Sequence, residues 1–486
     1  MAYTTINEST DHFNTITYAG DGASPRSLTG VGFQPDFLWI KNRDGGTAYE
    51  HRLMDSVRGS NKVIHSSQNA GENSEEYYTV GSFDSDGWTG RNGTGSNQVI
   101  TGGNDNGYNF VAESWLAGGT APTKTYKVVV VSDSGNKYRF RNSTDTATFG
   151  TSAVTLDLQE GGTYTFDVSD STLNSHPFVL GTSSGTDGSY STGVTYKLDG
   201  VTKTYSQYTS GFSAATTRQL IITVADSAPT LYYNCSVHSG MGGAINTNAT
   251  HGSSNFDGTL QSLVSANASA GFSIVKYTGV TGAQSFGHDL GAVPKMVFVK
   301  NLDSTGGSAE HWRVYHYSQG AGKYFRFNDN SAVITDTGPF SDTTPTSTIV
   351  SVGGDDGTTK NGEAHIAYCF ADVTGYCKVG SYVGNGNANG PYVYTGFKPS
   401  IIFTKTTATD GWRMLDNKRK GYNPNNSLLQ PHIPQNDSEQ TWHDILSNGF
   451  KLRTTDTGDN AQGTTYIYLA IGQTIVGSNN IPATAR

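Results

Sequence analysis

Charge is what this sequence is shortest of. Only 15 % of its 486 residues are Asp, Glu, Lys or Arg, and the formal net charge is -9. No basic cluster stands ready to collect phosphates, which argues against a nucleic-acid partner. Long apolar runs are missing too. No stretch approaches the ~20 residues of a membrane-spanning helix, so membrane insertion is not expected. The polar, acidic beginning of the chain shows no charged-then-apolar leader. Three cysteines are too few for a disulfide scaffold, and no pair has zinc spacing. There is no heptad stalk for a coiled coil. No nucleophile elbow, Ser-His-Asp order or phosphate loop appears, so nothing supports an enzyme.

What the chain has instead is glycine, 60 residues of it, well above the usual level of roughly 7 %. Together with abundant Ser, Thr, Asn and Tyr, this is the composition of many short strands joined by tight turns. Much of the glycine is periodic. Gly32–Lys41 (GFQPDFLWIK), Gly291–Lys300 (GAVPKMVFVK) and Gly396–Lys405 (GFKPSIIFTK) share Gly, Pro, an apolar run and a closing Lys. Upstream of each Pro the spacing holds without a gap: an apolar residue at -22 (Phe13, Phe272, Cys377), Tyr at -17 (Tyr18, Tyr277, Tyr382) and Gly at -15 (Gly20, Gly279, Gly384). Downstream, each copy has an Arg in a short apolar stretch (Arg52, Arg313, Arg413) and a closing strand with a central Ala (Ala112, Ala367, Ala470). One unit is used three times.

The apolar run after each Pro reads as a strand covered on both faces, and its neighbours alternate as half-buried strands do. No long capped amphipathic helix is evident. The expected fold class is all-β, with three related antiparallel β-sandwich units of jelly-roll or lectin-like type. The first two prolines are much farther apart than the last two, so an insert separates the first and second copies. The expected boundaries are residues 1–120 for the first copy, 121–250 for the insert, 251–375 for the second copy and 376–486 for the third. A soft Asn/Thr/Gly/Ser stretch around Asn246–Ser254 reads as a linker.

Within the insert two clusters stand out: Asn174-Ser175-His176-Pro177-Phe178, and Tyr232 to Gly242, which carries Cys235, His238 and Met241. Two imidazoles and a thiolate in a plane, with a weak axial thioether, form the geometry that holds copper in blue-copper sites. Over roughly Thr123–Thr250 the insert resembles the cupredoxin family, whose metal loop carries Cys, His and Met in this order after an early His. The resemblance implies a β-sandwich and makes His176, Cys235, His238 and Met241 a candidate copper site. The alternative is a metal-free sandwich, with His176 a hydrogen-bonded loop residue and Met241 a core plug.

Other features read as structural. Cys369 and Cys377 are expected to be buried free thiols. The acidic turns Asp84–Gly87, Asn104–Gly107 and Asp355–Gly357 are hairpin signals and lack the ligand set of a calcium loop. Tyr77, Tyr78, Trp88, Tyr190, Tyr422 and Trp442 sit in loop-like contexts, where aromatics serve either as contact surfaces or as caps on a core.

The opening Met1–Gly22, the block GVGFQPDFLWIKNRDGG followed by HRLMDSVRG, the later SFDSDGW and the closing Ile481–Arg486 are similar to a module of virion proteins from marine tailed bacteriophages. This resemblance implies a structural virion protein of tail-fibre or tail-adhesin type, located in the virion. It would present loops to a host cell-surface glycan or protein, contact other virion proteins and assemble as a homotrimer. A capsid-decoration or head-fibre protein, and a copper-binding cupredoxin-like protein, are the alternatives.

Overall fold

A computed structural model describes residues 4–44, 49–73, 79–91, 103–248, 251–304 and 310–474. The protein is all-β, and it divides into two compact units. One comprises Met1–Ala117, Ala266–Gln284 and Asp289–Arg486, and therefore most of the three repeat copies, residues 251–265 and 285–288 of the expected second copy falling in the other unit. The other comprises Gly118–Ser265 and Ser285–His288.

In the three-copy unit the strand order recurs. The first copy has Phe13–Ala19, Asn109–Trp115, Phe37–Asn42 and Arg52–Asp55 side by side. The second has Phe272–Thr278, Ala364–Ala371, Pro294–Asn301 and Arg313–His316. The third has Cys377–Val383, Thr465–Thr474, Phe397–Thr406 and Trp412–Asp416. All of these neighbours are antiparallel. The run after each Pro lies in the sheet and is buried on both faces, as its lack of alternation predicts. In the second and third copies the ladder slips one residue just after the Pro, because Pro cannot donate to it.

The periodic residues have physical jobs. Each signature Tyr donates its hydroxyl to a carbonyl of the loop before the last strand: Tyr18 to Gly103 (2.6 Å), Tyr277 to Thr358 (2.5 Å) and Tyr382 to Asp459 (3.0 Å). Each signature Gly passes so close to that loop that a Cβ would overlap the carbonyl oxygen of Asp105, Lys360 or Ala461. Only glycine fits there. The closing Lys41, Lys300 and Lys405 are fully buried. They donate to backbone carbonyls, Lys300 to three of them. Burial pulls them down to about 8, 7 and 8.

The copies close on one another in a cycle. Trp312 and Trp412 each precede the signature Arg, and His51 holds that position in the first copy. Trp312 Nε1 of the second copy donates to His65 O of the first (3.0 Å), and Trp412 Nε1 of the third to Arg326 O of the second (2.7 Å). His51 Nε2 of the first copy meets Gln430 O of the third at 3.1 Å. The three acceptors are themselves equivalent: each follows the residue bridged to Leu53, Val314 or Met414. A second set of contacts runs around the same cycle. The Tyr368 hydroxyl donates to Asp55 at 2.7 Å, and the corresponding Asp416 lies against Glu113. Asp55 and Asp416 are each ion-paired to a buried Arg, Arg58 and Arg419. In the second copy His316 and Gln319 replace that pair. Aromatic rings fill the centre, with Phe37–Tyr368 at 4.6 Å and Trp39–Phe403 at 5.6 Å.

The other unit is a sandwich. One sheet has the order Asn136–Phe140, Thr123–Ser132, Thr163–Asp167, Arg218–Thr223, Val194–Leu198, Val201–Lys203. The other runs Leu156–Gln159, Ala244–Asn248, Leu231–Cys235, Phe178–Gly181. Rings from the two sheets interleave, Tyr138 on Phe178 at 5.2 Å and Phe140 on Tyr233 at 5.6 Å. The soft stretch expected as a linker is not one. Ala244–Asn248 and Ser253–Asn255 are strands, and Ser253, Ser254 and Asn255 are buried. Their polarity is satisfied inside: Ser253 Oγ meets Tyr164 OH at 2.6 Å, and Ser254 O accepts from Tyr126 OH at 2.8 Å. Composition could not reveal this, because a hydrogen-bonded buried serine looks like a loop serine.

Candidate metal centre

Leu231–Cys235 and Phe178–Gly181, both largely buried, pair antiparallel, with Phe178 opposite Cys235. Ser236 N donates to Pro177 O at 3.0 Å, so the register sets His176 beside the start of the Cys235 loop. A short 3-10 turn, Ser171–Leu173, is capped by Asp170 and holds His176 N on Leu173 O at 2.7 Å. Two residues separate Cys235 from His238, and the turn brings the second imidazole back over the thiol.

The donors converge. His176 Nδ1 and His238 Nδ1 are 3.1 Å apart, and Cys235 Sγ lies 3.9 and 3.7 Å from them. Among the described residues, this is the group of three or more His, Cys, Asp or Glu side chains able to share one ion. The spacing can be tested against bond lengths. A metal with bonds of about 2.0 Å to nitrogen and about 2.3 Å to sulfur, in a trigonal plane, separates its donors by about 3.5 to 3.7 Å. The observed triangle fits that size, and both rings present the same nitrogen to it.

Burial is graded across the site. Cys235 is fully buried, His176 nearly so, and His238 is exposed. Burial and the neighbouring His238 hold the His176 imidazole below its ordinary range, which keeps it neutral, as a ligand must be. The Asn136 amide lies 3.3 Å from His176 Nε2. The atom facing the ring is the amide nitrogen Nδ2; turning the amide by 180° would let its oxygen accept Nε2–H and leave the Nδ1 lone pair free. Tyr138 OH donates to His176 O at 2.9 Å. Met241 is buried in the same apolar cluster as Cys235 and Tyr138, and its carbonyl accepts from Tyr138 N at 2.9 Å.

The structure thus brings together His176, Cys235 and His238, with Met241 in the adjoining core. Asn136 was not legible in the sequence, since sheet pairing alone carries it to the ring. Cys369 and Cys377 are free and buried, and burial pushes Cys369 up to about 12. Of the loop-like aromatics, Tyr422 is exposed, whereas Trp88, Tyr190 and Trp442 are buried. Trp88 follows its turn directly into a strand, opposite Leu28 and Phe83. Tyr77 and Tyr78 lie outside the described residues. The acidic turns cap backbone: Asp86 accepts from Gly30 N and Gly32 N, Asp355 from Gly357 N.

The model of a domain of unknown function, DUF7483, matches residues 8–160 and 243–474. That is most of the chain, which therefore belongs to this family. The match breaks off across the segment that carries all four candidate ligands. No curated protein and no solved structure matches the chain.

Proposed function

We propose that this member of the DUF7483 family binds copper in its inserted sandwich, where His176, Cys235 and His238 would hold the ion and Met241, buried in the adjoining core, would be the candidate fourth ligand. The observation that carries the reading is the Nδ1–Nδ1–Sγ triangle. Its two imidazoles and one thiol are the donor set that favours copper over the oxygen-seeking cations. Bound copper would supply one-electron redox chemistry. The chain's own part is to hold the His176 ring neutral, to bury the thiol and to keep water from it. Titrating the purified protein with Cu(II) should produce an intense visible thiolate band at one equivalent, lost in His238→Ala and in Cys235→Ser. A colourless protein that retains no copper on dialysis refutes the site.

A second reading concerns the whole chain: a structural virion protein of tail-fibre or tail-adhesin type, displaying loops toward a host-surface glycan or protein. What supports it, beside the sequence resemblance, is the three-copy unit, whose copies are joined by hydrogen bonds around a cycle. Homotrimerisation and contacts to other virion proteins belong to the same proposal, and capsid decoration is its variant. Mass spectrometry of purified virions tests it, and absence of the chain from the particles defeats it.

A further inference from the structure

The cycle of copies is not closed alike all the way round. Between the second and third copies Asp372 closes the seam with its own charge. It accepts from Lys295 Nζ at 2.7 Å, Lys378 Nζ at 2.9 Å and Val379 N at 2.8 Å, and the Tyr317 ring lies over Lys295. In the first copy Asp36, which follows the repeat Pro as Lys295 does, is fully buried and accepts from Ser56 Oγ at 2.8 Å and Ala117 N at 2.7 Å.

Between the third copy and the first, each counterpart is smaller or uncharged. The ladder register sets Gln473 where the second copy has Asp372. Ser400 follows the Pro in place of Lys295, and Asn14 stands for Lys378. Asn417 replaces Tyr317, each donating its backbone N–H to the carbonyl of the residue after the Pro, at 2.8 and 2.9 Å. A cleft of about 290 Å³ lies at this seam. Lys398 and Lys418 line it, where the first copy has Gln34 and Val57 and the second has Val293 and Ser318. No carboxylate is among the lining side chains. Thr15, at the base of the cleft, donates to the buried Glu113, and burial holds that acid well above its ordinary range, so it adds no negative charge.

Two ammonium groups among hydroxyls and amides, in a space near the lower end of the roughly 300 to 1,000 Å³ of small-molecule sites, have a definite complement. We propose that this seam binds a hydroxylated anion of the size of one sugar ring, a monosaccharide carrying a sulfate or a carboxylate, with Lys398 and Lys418 meeting its charge. The site rests on neither reading above. A chain that takes no copper, or that is absent from virions, keeps it.

Calorimetric titration of the full chain with glucuronate, glucose 6-sulfate, glucose and inorganic sulfate tests it. At least one of the two acidic sugars should bind with a dissociation constant below roughly 10 mM, and the one that does identifies the anion. Glucose and inorganic sulfate each offer half of the complement and should bind at least roughly tenfold more weakly. Lys418→Ala should weaken the acidic sugar by roughly threefold or more. Asn417→Tyr puts into the cleft the ring that the second copy carries at Tyr317, and it should abolish binding. Lys420→Ala removes a nearby charge that pairs with Glu439 and should leave the affinity unchanged. Should Asn417→Tyr fail to fold, Lys418→Ala, at an exposed position, still decides. No acidic-sugar binding up to roughly 10 mM, equal binding by glucose or by sulfate, or affinity undiminished in Lys418→Ala overturns the proposal.

Discussion

Removing Arg419 tests the electrostatics of the three-copy unit. Its guanidinium is fully buried against Asp416, also fully buried. It donates from Nη1 to Asp437 at 2.8 Å and from Nη2 to Met414 O at 3.2 Å. The arginine beside Asp416 holds that carboxyl below the usual range despite its burial. Burial, and then the charge of Asp416, hold Glu113 well above it. Arg419→Met keeps the stem's volume and strands the carboxylates. Breaking a buried pair in this way costs about 3–5 kcal/mol. For a unit of roughly 330 residues, an unfolding entropy of about 2.1 cal/mol/K per residue gives about 0.7 kcal/mol/K. The melting temperature should therefore fall by about 4–7 °C, read by calorimetry at neutral pH. The double variant Arg419→Met/Asp416→Asn removes the stranded charge and should recover at least half of the loss. A single variant that melts within about 1 °C of wild type, or a double variant no better than the single, would refute the assignment of Arg419 as the neutralising partner.

Three further outcomes follow from the geometry. His51 and His432 are buried and His65 is half-buried where the copies meet, and burial pulls His65 and His432 down to about 4 and His51 well below its ordinary value. These rings stay neutral when folded and charge more readily when unfolded. Their contribution is intact above about pH 6.5 and is lost as pH falls toward 4, by up to about 1.4 kcal/mol per pH unit for each. His316, also pulled down to about 4 by burial, adds to this and Glu113, held well above its ordinary range, opposes it, so the melting temperature should fall as pH drops from 6 to 5, and His65→Gln should make the fall shallower. At Gly242 a Cβ would overlap Tyr233 O. Gly242→Ala should displace the ligand loop and reduce copper retention, whereas Gly240→Ala, whose neighbour is the far end of the Lys137 side chain, should retain copper at some cost in stability from its positive φ of 74°. Trp412→Phe removes the donor to Arg326 O, a part-buried acceptor, which should cost about 1 kcal/mol by denaturant unfolding.

Much of the site was legible because its ligands lie in two short segments. The Cys235, His238 and Met241 spacing is local, and His176 is distinguished by a neighbouring Pro and Phe. Asn136 and the burial gradient were not legible, since both depend on which strands pair. The aromatics divide in the same way. Trp88 and Tyr422 have similar sequence surroundings, yet one enters a sheet interior and the other faces solvent.

The repeat, its register and the all-β class follow from the sequence alone, because strand period, turn chemistry and the close approach at Gly20, Gly279 and Gly384 are local demands that recur wherever the chain meets the same geometry. What only the tertiary structure decided is how the copies answer one another. The hydrogen bonds from Trp312, Trp412 and His51 to the adjacent copies and the burial of the closing lysines depend on residues far apart in the chain. Their energy depends on desolvation and mutual distance. Linear spacing carries neither, so a sequence that shows which residues recur leaves open which partner each of them finds.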